Sequence, residues 1–290
     1  MKYILVTGVS TGIGEGVLKE LVDQRFFVFG TVRKKEDAER LKKELPEEYF
    51  TPLLLDVTHE RSIDAAVKIV AKKLGKEPLY GLVNNAGILT GGPVAMLTLD
   101  QYREVMEVNF FGIIKMIQAF LPLMSGRKNP YKPGKNSPPY PHNGKIINIS
   151  SVLGHYGLPY VSTYAASKYA LEGFCDSARR ELAQMNIQVV ALIPGAVKTL
   201  IFKKAAKEKD YDYARGTIFE VHGRKLREYL LKLEKNGISP QKVGKKTASI
   251  LNRKKAKPRY VITGSPMMEW LWPKYLPDRM LDFVLKVLLK

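Results

Sequence analysis

Through the first two thirds of the chain, short runs of β-branched and other apolar residues alternate with stretches whose apolar positions recur every three or four residues. The continuous runs predict strands near Tyr3–Thr7, Phe27–Thr31, Pro52–Asp56, Leu79–Asn84, Lys145–Ser150, Gln188–Ile193 and, after a long gap, Arg259–Thr263. Between them the spacing predicts helices. In Ser62–Leu74, Ile63, Ala66, Val67, Val70 and Leu74 share one face, the stripe with which a helix covers a core. Glu15–Gln24, Asp100–Leu123 and Thr163–Met185 read as helices too. Strands that are apolar throughout and joined by helices mean a parallel sheet covered on both sides. The expected fold is therefore α/β: a Rossmann-type, doubly wound, seven-stranded, mostly parallel sheet with helices on both faces. It would form one unit over 1–290, with ligands at the carboxyl ends of the strands.

Three segments break the rhythm. Ser125–Gly144 is rich in Pro, Lys, Asn and Gly and enters the amino end of the fifth strand, away from the expected ligand side. It reads as a surface insertion. Thr199–Asn236 is charged and helical in places, and follows the sixth strand on the ligand side, which suits a substrate-covering segment. The tail Met267–Lys290 sets Trp270, Trp272, Leu276, Met280, Phe283, Val284, Val287 and Leu288 among Lys274, Arg279, Lys286 and Lys290. Two readings of it stand: packing on its own domain or a partner subunit, or peripheral contact with a membrane.

Composition narrows the function classes. With 290 residues, 45% of them hydrophobic and 26% charged, the chain can bury a large core. Its net charge of +19 invites anionic partners, but the Lys and Arg residues are spread over the whole length. That favours a solvated basic surface, keeps anionic lipid as a second reading, and sets nucleic acid aside. The single cysteine, Cys175, excludes an intrachain disulfide framework and suits a reducing, cytoplasmic setting; inside a helical pattern it reads as a small buried thiol. Met1–Thr7 leads straight into a glycine-rich turn, so it reads as a strand rather than a signal peptide, and no uninterrupted apolar run is long enough to span a bilayer. The histidines lack metal-ligand spacing, so no metal is expected.

The turn after the first strand reads Thr7-Gly8-Val9-Ser10-Thr11-Gly12-Ile13-Gly14. Between a strand and a helix, such glycines let backbone approach a pyrophosphate while the helix amino end offers free N–H groups. Gly8, Ser10, Thr11, Gly12, Ile13 and Gly14 are thus candidate cofactor residues. At the end of the second strand, where an acid would bind the ribose diol of NAD, stand Val32 and Arg33. A guanidinium there can pair with a 2′-phosphate, so the cofactor expected is NADP(H), with NAD(H) use left open.

These features, with others spaced along roughly Met1–Thr199, resemble the short-chain dehydrogenase/reductase family. The likeness includes Asp56 after the third strand, Asn84-Asn85-Ala86-Gly87, Asn109, Ser151, the Tyr-x-x-x-Lys pair Tyr164 and Lys168, and Pro194-Gly195-Ala196-Val197-Lys198-Thr199. The segment Ser151–Gly173 looks most like the 17β-hydroxysteroid and retinol dehydrogenase branch. By resemblance, Asp56 contacts the adenine, Asn85, Ala86 and Gly87 lie close to the cofactor, and Pro194, Gly195, Val197 and Thr199 flank it, with Thr199 at the nicotinamide carboxamide. Lys168 would hold the nicotinamide ribose and Asn109 anchor a water that links Lys168 to solvent. Homodimers or homotetramers are implied as well.

Tyr164 and Lys168 lie four apart in a helix and share a face, so the ammonium is expected to lower the phenol's pKa. Tyr164 would then exchange a proton with a carbonyl oxygen while Ser151 donates a hydrogen bond to it. Leu153, His155, Tyr156, Leu158 and Tyr160 around this segment suggest a pocket for an apolar carbonyl or alcohol: a steroid, a retinoid or another lipid. The alternative is an NADP(H)-binding redox sensor or scaffold without turnover, for which a proton donor would be superfluous.

Overall fold

The strands are β1 (Tyr3–Val6), β2 (Phe27–Val32), β3 (Phe50–Leu54), β4 (Leu79–Asn84), β5 (Gly144–Ile149), β6 (Ile187–Pro194) and β7 (Arg259–Ile262). In the computed structural model, which describes residues 1–125, 143–202 and 214–288, they form one parallel sheet in the order β3-β2-β1-β4-β5-β6-β7. The sheet grows one way from β1 to β3 and the other way from β4 to β7. Adjacent carboxyl ends of β1 and β4 therefore open a crevice at the switch point.

The helices are α1 (Gly12–Asp23), α2 (Lys35–Glu44), α3 (Glu60–Leu74), α4 (Leu99–Met106), α5 (Gly112–Ser125), α6 (Ser162–Leu182), α7 (Glu220–Asn236), α8 (Pro240–Asn252), α9 (Trp272–Tyr275) and α10 (Asp278–Leu288). Strand side chains alternate between two cores. Leu5, Phe27, Ile146 and Val189 meet Ile63 of α3, Phe120 of α5 and Leu171 of α6. Ile4, Val28, Ile147 and Val190 meet Leu18 of α1, Leu41 of α2 and Ile250 of α8. Helices thus cover both faces, as the continuous apolar strands imply.

The expected helix Asp100–Leu123 is α4 and α5 joined through a π-helical turn, Glu107–Phe111. The extra residue of that turn re-aims the side chains within it, including Asn109. Leu99–Ser125 is also long and apolar enough to cross a membrane, but Ile113, Met116, Ile117 and Phe120 are buried in the first core, which makes it a core helix. β3 begins two residues before its expected position. The Leu55 amide still bonds the Val32 carbonyl, at 3.0 Å, but Asp56 turns away to accept bonds from Thr58 at 2.7 and 2.9 Å.

α1 and α8 touch at backbone level, because a Cβ on Gly16 would lie 2.5 Å from the carbonyl carbon of Pro240. Arg259 ties β7 to α6 through Glu172 at 2.8 Å and Asp176 at 3.0 Å. Residues 126–142 of the expected insertion and residues 203–213 of the expected substrate-covering segment lie outside the described residues.

Candidate active site

The crevice is the mouth of a cleft of about 950 Å³. Gly8, Ser10, Thr11, Gly12 and Ile13 line one end. Gly8 and Gly12 adopt φ of +70° and +64°, the left-handed region where a side chain is strained. A Cβ on Gly8 would also stand 3.0 Å from the Cα of Ala86. α1 begins at Gly12, so its first unpaired N–H groups lie at the cleft, as a pyrophosphate requires. Thr7 accepts the Asn85 and Ala86 amides, both at 2.9 Å, which fixes the Asn84–Gly87 turn against this cradle.

Gly14 departs from expectation. It does not line the cleft; a Cβ there would overlap the Gly8 carbonyl oxygen. Its place is in the packing of α1 against the turn.

Arg33, Lys34, Asp37 and Asp56 line the same end. Burial pushes the Asp56 carboxyl up, but the Thr58 hydrogen bonds and the Arg33 charge outweigh it and hold the pKa below its ordinary value. Asp37, on the first turn of α2, is an acid that the reading of the strand end at Val32 and Arg33 missed.

Ser151, Tyr164 and Lys168 meet at the centre of the cleft. β5 delivers Ser151, whose hydroxyl accepts the Leu153 amide at 3.2 Å and is hydrogen-bonded to the Tyr164 phenol. Lys168, one helical turn beyond Tyr164, donates to the Ile149 carbonyl at 2.8 Å, with Nζ 5.5 Å from the centre of the Tyr164 ring. Burial pushes Lys168 down to about 8.

The expected lowering of the Tyr164 pKa is corrected. Burial pushes the phenol up to about 12, and the Ser151 bond offsets only part of that. The sequence spacing placed the ammonium one turn away but did not account for the depth of the ring.

Asn109 stands on the π-helical turn Glu107–Phe111. Fully buried, it lies behind the cleft wall rather than in it. Its amide holds the backbone of Ile88 on both sides, at 2.8 and 2.9 Å, and donates to Ser167 at 3.0 Å. Ser167 in turn donates to the Tyr164 carbonyl at 2.8 Å, so Asn109 braces the strand-end turn against α6.

Pro194, Gly195, Val197 and Thr199 line the cleft. The Thr199 hydroxyl donates to buried Glu234 of α7 at 3.0 Å.

Leu153, Tyr156 and Leu158 line the far end, whereas His155 and Tyr160 do not. His155 lies between Trp270, 4.7 Å away ring to ring, and Glu172, 3.5 Å away. That acid, seventeen residues along the chain, draws the ring into α6. Tyr160 turns toward Phe219 while its carbonyl accepts the Gly92 amide at 2.7 Å.

The rest of the far wall comes from Leu200, Ile201, Phe202, Tyr229, Leu230 and Leu233 of the charged segment, and from Met268, Glu269, Trp272, Leu276, Leu281, Val284 and Leu285 of the tail. The tail's place in this wall was not legible in the sequence, because its aromatic-basic pattern fits several surfaces. Cys175 is buried, accepts from Asn148 at 3.2 Å, and is pushed up to about 12 by that burial.

Comparison with known proteins agrees with the geometry. The family model for short chain dehydrogenases matches residues 2–210. An "NADPH-dependent 3-dehydrocapnine reductase" of Ornithobacterium rhinotracheale is 36% identical over 286 residues, covering 97% of this chain and 95% of the relative. A "3-ketodihydrosphingosine reductase" of Bacteroides thetaiotaomicron is 32% identical over 293 residues, covering 99% and 97%. The crystal structure of a short-chain dehydrogenase from Streptomyces avermitilis superposes with a TM-score of 0.72 at 28% identity, covering 99% of this chain and 94% of that one. The chain belongs to the short-chain dehydrogenase/reductase family of oxidoreductases.

Proposed function

We propose that this protein is an NADPH-dependent reductase of long-chain lipid ketones, which it takes from a membrane surface. The observation that carries the reading is the far half of the cleft. It is a chamber built from the loop after β5, the segment after β6 and the C-terminal tail, lined mostly by apolar side chains such as Leu153, Phe202, Leu230, Leu276 and Leu285, which suits an alkyl chain better than a small polar ketone. The two relatives named as reductases align over nearly the whole chain, and so over the tail that helps to wall this chamber.

The glycine cradle at Gly8 and Gly12 and the amino end of α1 fit the pyrophosphate of a dinucleotide. Arg33 and Lys34 at the adenosine end fit a 2′-phosphate. When bound, a reduced nicotinamide supplies hydride. Tyr164 holds its proton, because burial disfavours the phenolate, and so stands ready as the donor to a ketone oxygen. As negative charge develops there, the Ser151 hydroxyl donates to it. Lys168, largely protonated at pH 7, opposes the charge left on the phenol after transfer. Asn109 keeps the Ile88 turn and the Tyr164 turn of α6 in register. The apolar chamber orders the alkyl chain and keeps water from the reacting oxygen.

The tail also carries the membrane part of the reading. Leu281, Val284 and Leu285 of α10 face the cleft, while Met280, Phe283 and Val287 are exposed, Phe283 at 68%. Arg279 and Lys286 flank them. An exposed apolar face beside cations, on the helix whose other face walls the chamber, suits an anionic bilayer from which a lipid enters.

The test is NADPH oxidation with 3-ketodihydrosphingosine against short ketones, and sedimentation with anionic and neutral vesicles. Turnover confined to the long-chain ketone, with binding to anionic vesicles that is lost on deleting residues 278–290, supports the reading. Preference for a short ketone overturns the substrate, and sedimentation unchanged by the deletion overturns the membrane contact.

A further inference from the structure

Among the described residues, three acids line the cleft: Asp37, Asp56 and Glu269. The first two lie at the adenosine end with Arg33. Glu269 stands apart in the substrate chamber, on the π-helical turn Met267–Leu271 that follows β7. Its Oε2 accepts the Ala196 amide and its Oε1 the Ser265 amide, the latter at 3.1 Å. The carboxylate lies so close to Gly195 that a Cβ there would overlap it, which places it against the backbone that leaves β6 for the cofactor.

Two phenols share the cleft with it. Tyr156 comes from the loop after Ser151 and Tyr229 from α7, and both line the cleft. Burial raises the pKa of each; the Tyr229 phenol and, after it, the Glu269 charge add to this at Tyr156, and the Glu269 charge adds to it at Tyr229, so both keep their protons. Each Glu269 oxygen has a protein donor and retains a second acceptor site. Backbone amides hold the carboxylate in place without neutralising its charge. Among the described residues that line the far end there is no Lys or Arg, so a cation on the ligand can pair with the carboxylate there.

We infer that Glu269, with the hydroxyls of Tyr156 and Tyr229, is the subsite that receives a primary ammonium carried next to the ketone by the long-chain substrate. This rests on the proposed function and deepens it. The same carboxylate repels a keto lipid bearing an acid at that position, so the site separates amino ketones from keto acids of equal chain length. The two phenols of the cleft supply donors and acceptors for the ammonium's neighbours, and the alkyl chain continues into the Leu230, Leu276 and Leu285 side of the chamber.

The experiment compares 3-ketodihydrosphingosine with its N-acetyl derivative, which keeps the chain and the ketone but has no charge. Wild type is expected to favour the free amine in kcat/KM by about 10- to 100-fold, the effect of a charge-assisted hydrogen bond, with most of the difference in KM. In E269Q that preference falls by about tenfold or more on the same grounds. A preference that survives in E269Q, or that wild type never shows, overturns the inference.

Binding to wild type provides a readout independent of the variant's folding. Calorimetry on the NADP+-loaded enzyme should show dodecylammonium binding about tenfold more tightly than dodecanol, and equal affinities overturn the subsite. Failure to reduce either ketone would instead overturn the proposed function, while the calorimetry still decides whether the chamber prefers an ammonium.

Discussion

Replacing Lys168 by Met should make the protein more stable while it abolishes turnover. Lys168 is 4% exposed and burial lowers its pKa from 10.5 to about 8. That difference corresponds to about 3 kcal/mol by which holding the ammonium in the fold disfavours the native state. Met keeps the length and the packing but gives up the bond to the Ile149 carbonyl, 2.8 Å long, which costs about 1 kcal/mol. The balance is a gain of about 2 kcal/mol at pH 7, or roughly 4 °C in Tm for a chain of this size.

The pH dependence follows from the direction of the shift. Between pH 8 and 10.5 the unfolded chain holds the proton and the folded one has lost it, so wild-type stability rises with pH through this window. Below about pH 8 both states are protonated and the penalty is constant. The gap between Lys168→Met and wild type should therefore be full at pH 7 and close towards pH 10.5. Urea unfolding at pH 7, 8.5 and 10 measures it. A variant less stable than wild type at pH 7, or a gap that does not change with pH, would refute the reasoning.

Arg33→Asp should lower kcat/KM with NADPH by about 10- to 100-fold, the loss of one charge-assisted bond plus a repulsion, and leave NADH turnover much less affected; coenzyme titrations measure the ratio. Gly14→Ala should destabilise the fold by several kcal/mol, because its methyl group overlaps the Gly8 carbonyl oxygen inside a packed turn, and thermal melting reads the loss. Gly157→Ala is the control: a Cβ there meets nothing within 4 Å, so its Tm should stay within about 1 °C of wild type.

The sheet was legible because its strands are apolar on both faces, and no other element buries such runs as Ile146–Ile149 or Val189–Ile193. The cradle was legible because Gly8 and Gly12 adopt backbone that other residues strain to reach. Ser151, Tyr164 and Lys168 were legible as a set, since a strand end and one helical turn place them together. What depends on packing depth was not. The four-residue spacing brought Lys168 near Tyr164 but did not show that burial would raise the phenol, or that Nζ would bond Ile149. His155 went to Glu172 rather than to the cleft because a buried acid and Trp270 compete for it. Glu269 carries no local signal. It reaches Ala196 across 73 residues, and only the path of the tail over the cleft brings it there. The β3 boundary slipped because Asp56 satisfies its carboxylate within its own turn.

The central claim is that Tyr164 gives a proton to the ketone of a long-chain substrate while NADPH is consumed. The most direct measurement is single-turnover NADPH oxidation with 3-ketodihydrosphingosine in wild type and Tyr164→Phe, alongside NADPH affinity for both. The account predicts turnover in wild type, a loss of about 10²- to 10⁴-fold in the variant, and NADPH affinity unchanged within about threefold, a difference of less than 1 kcal/mol. Near-wild-type turnover in Tyr164→Phe, with the cofactor bound equally well, would contradict it.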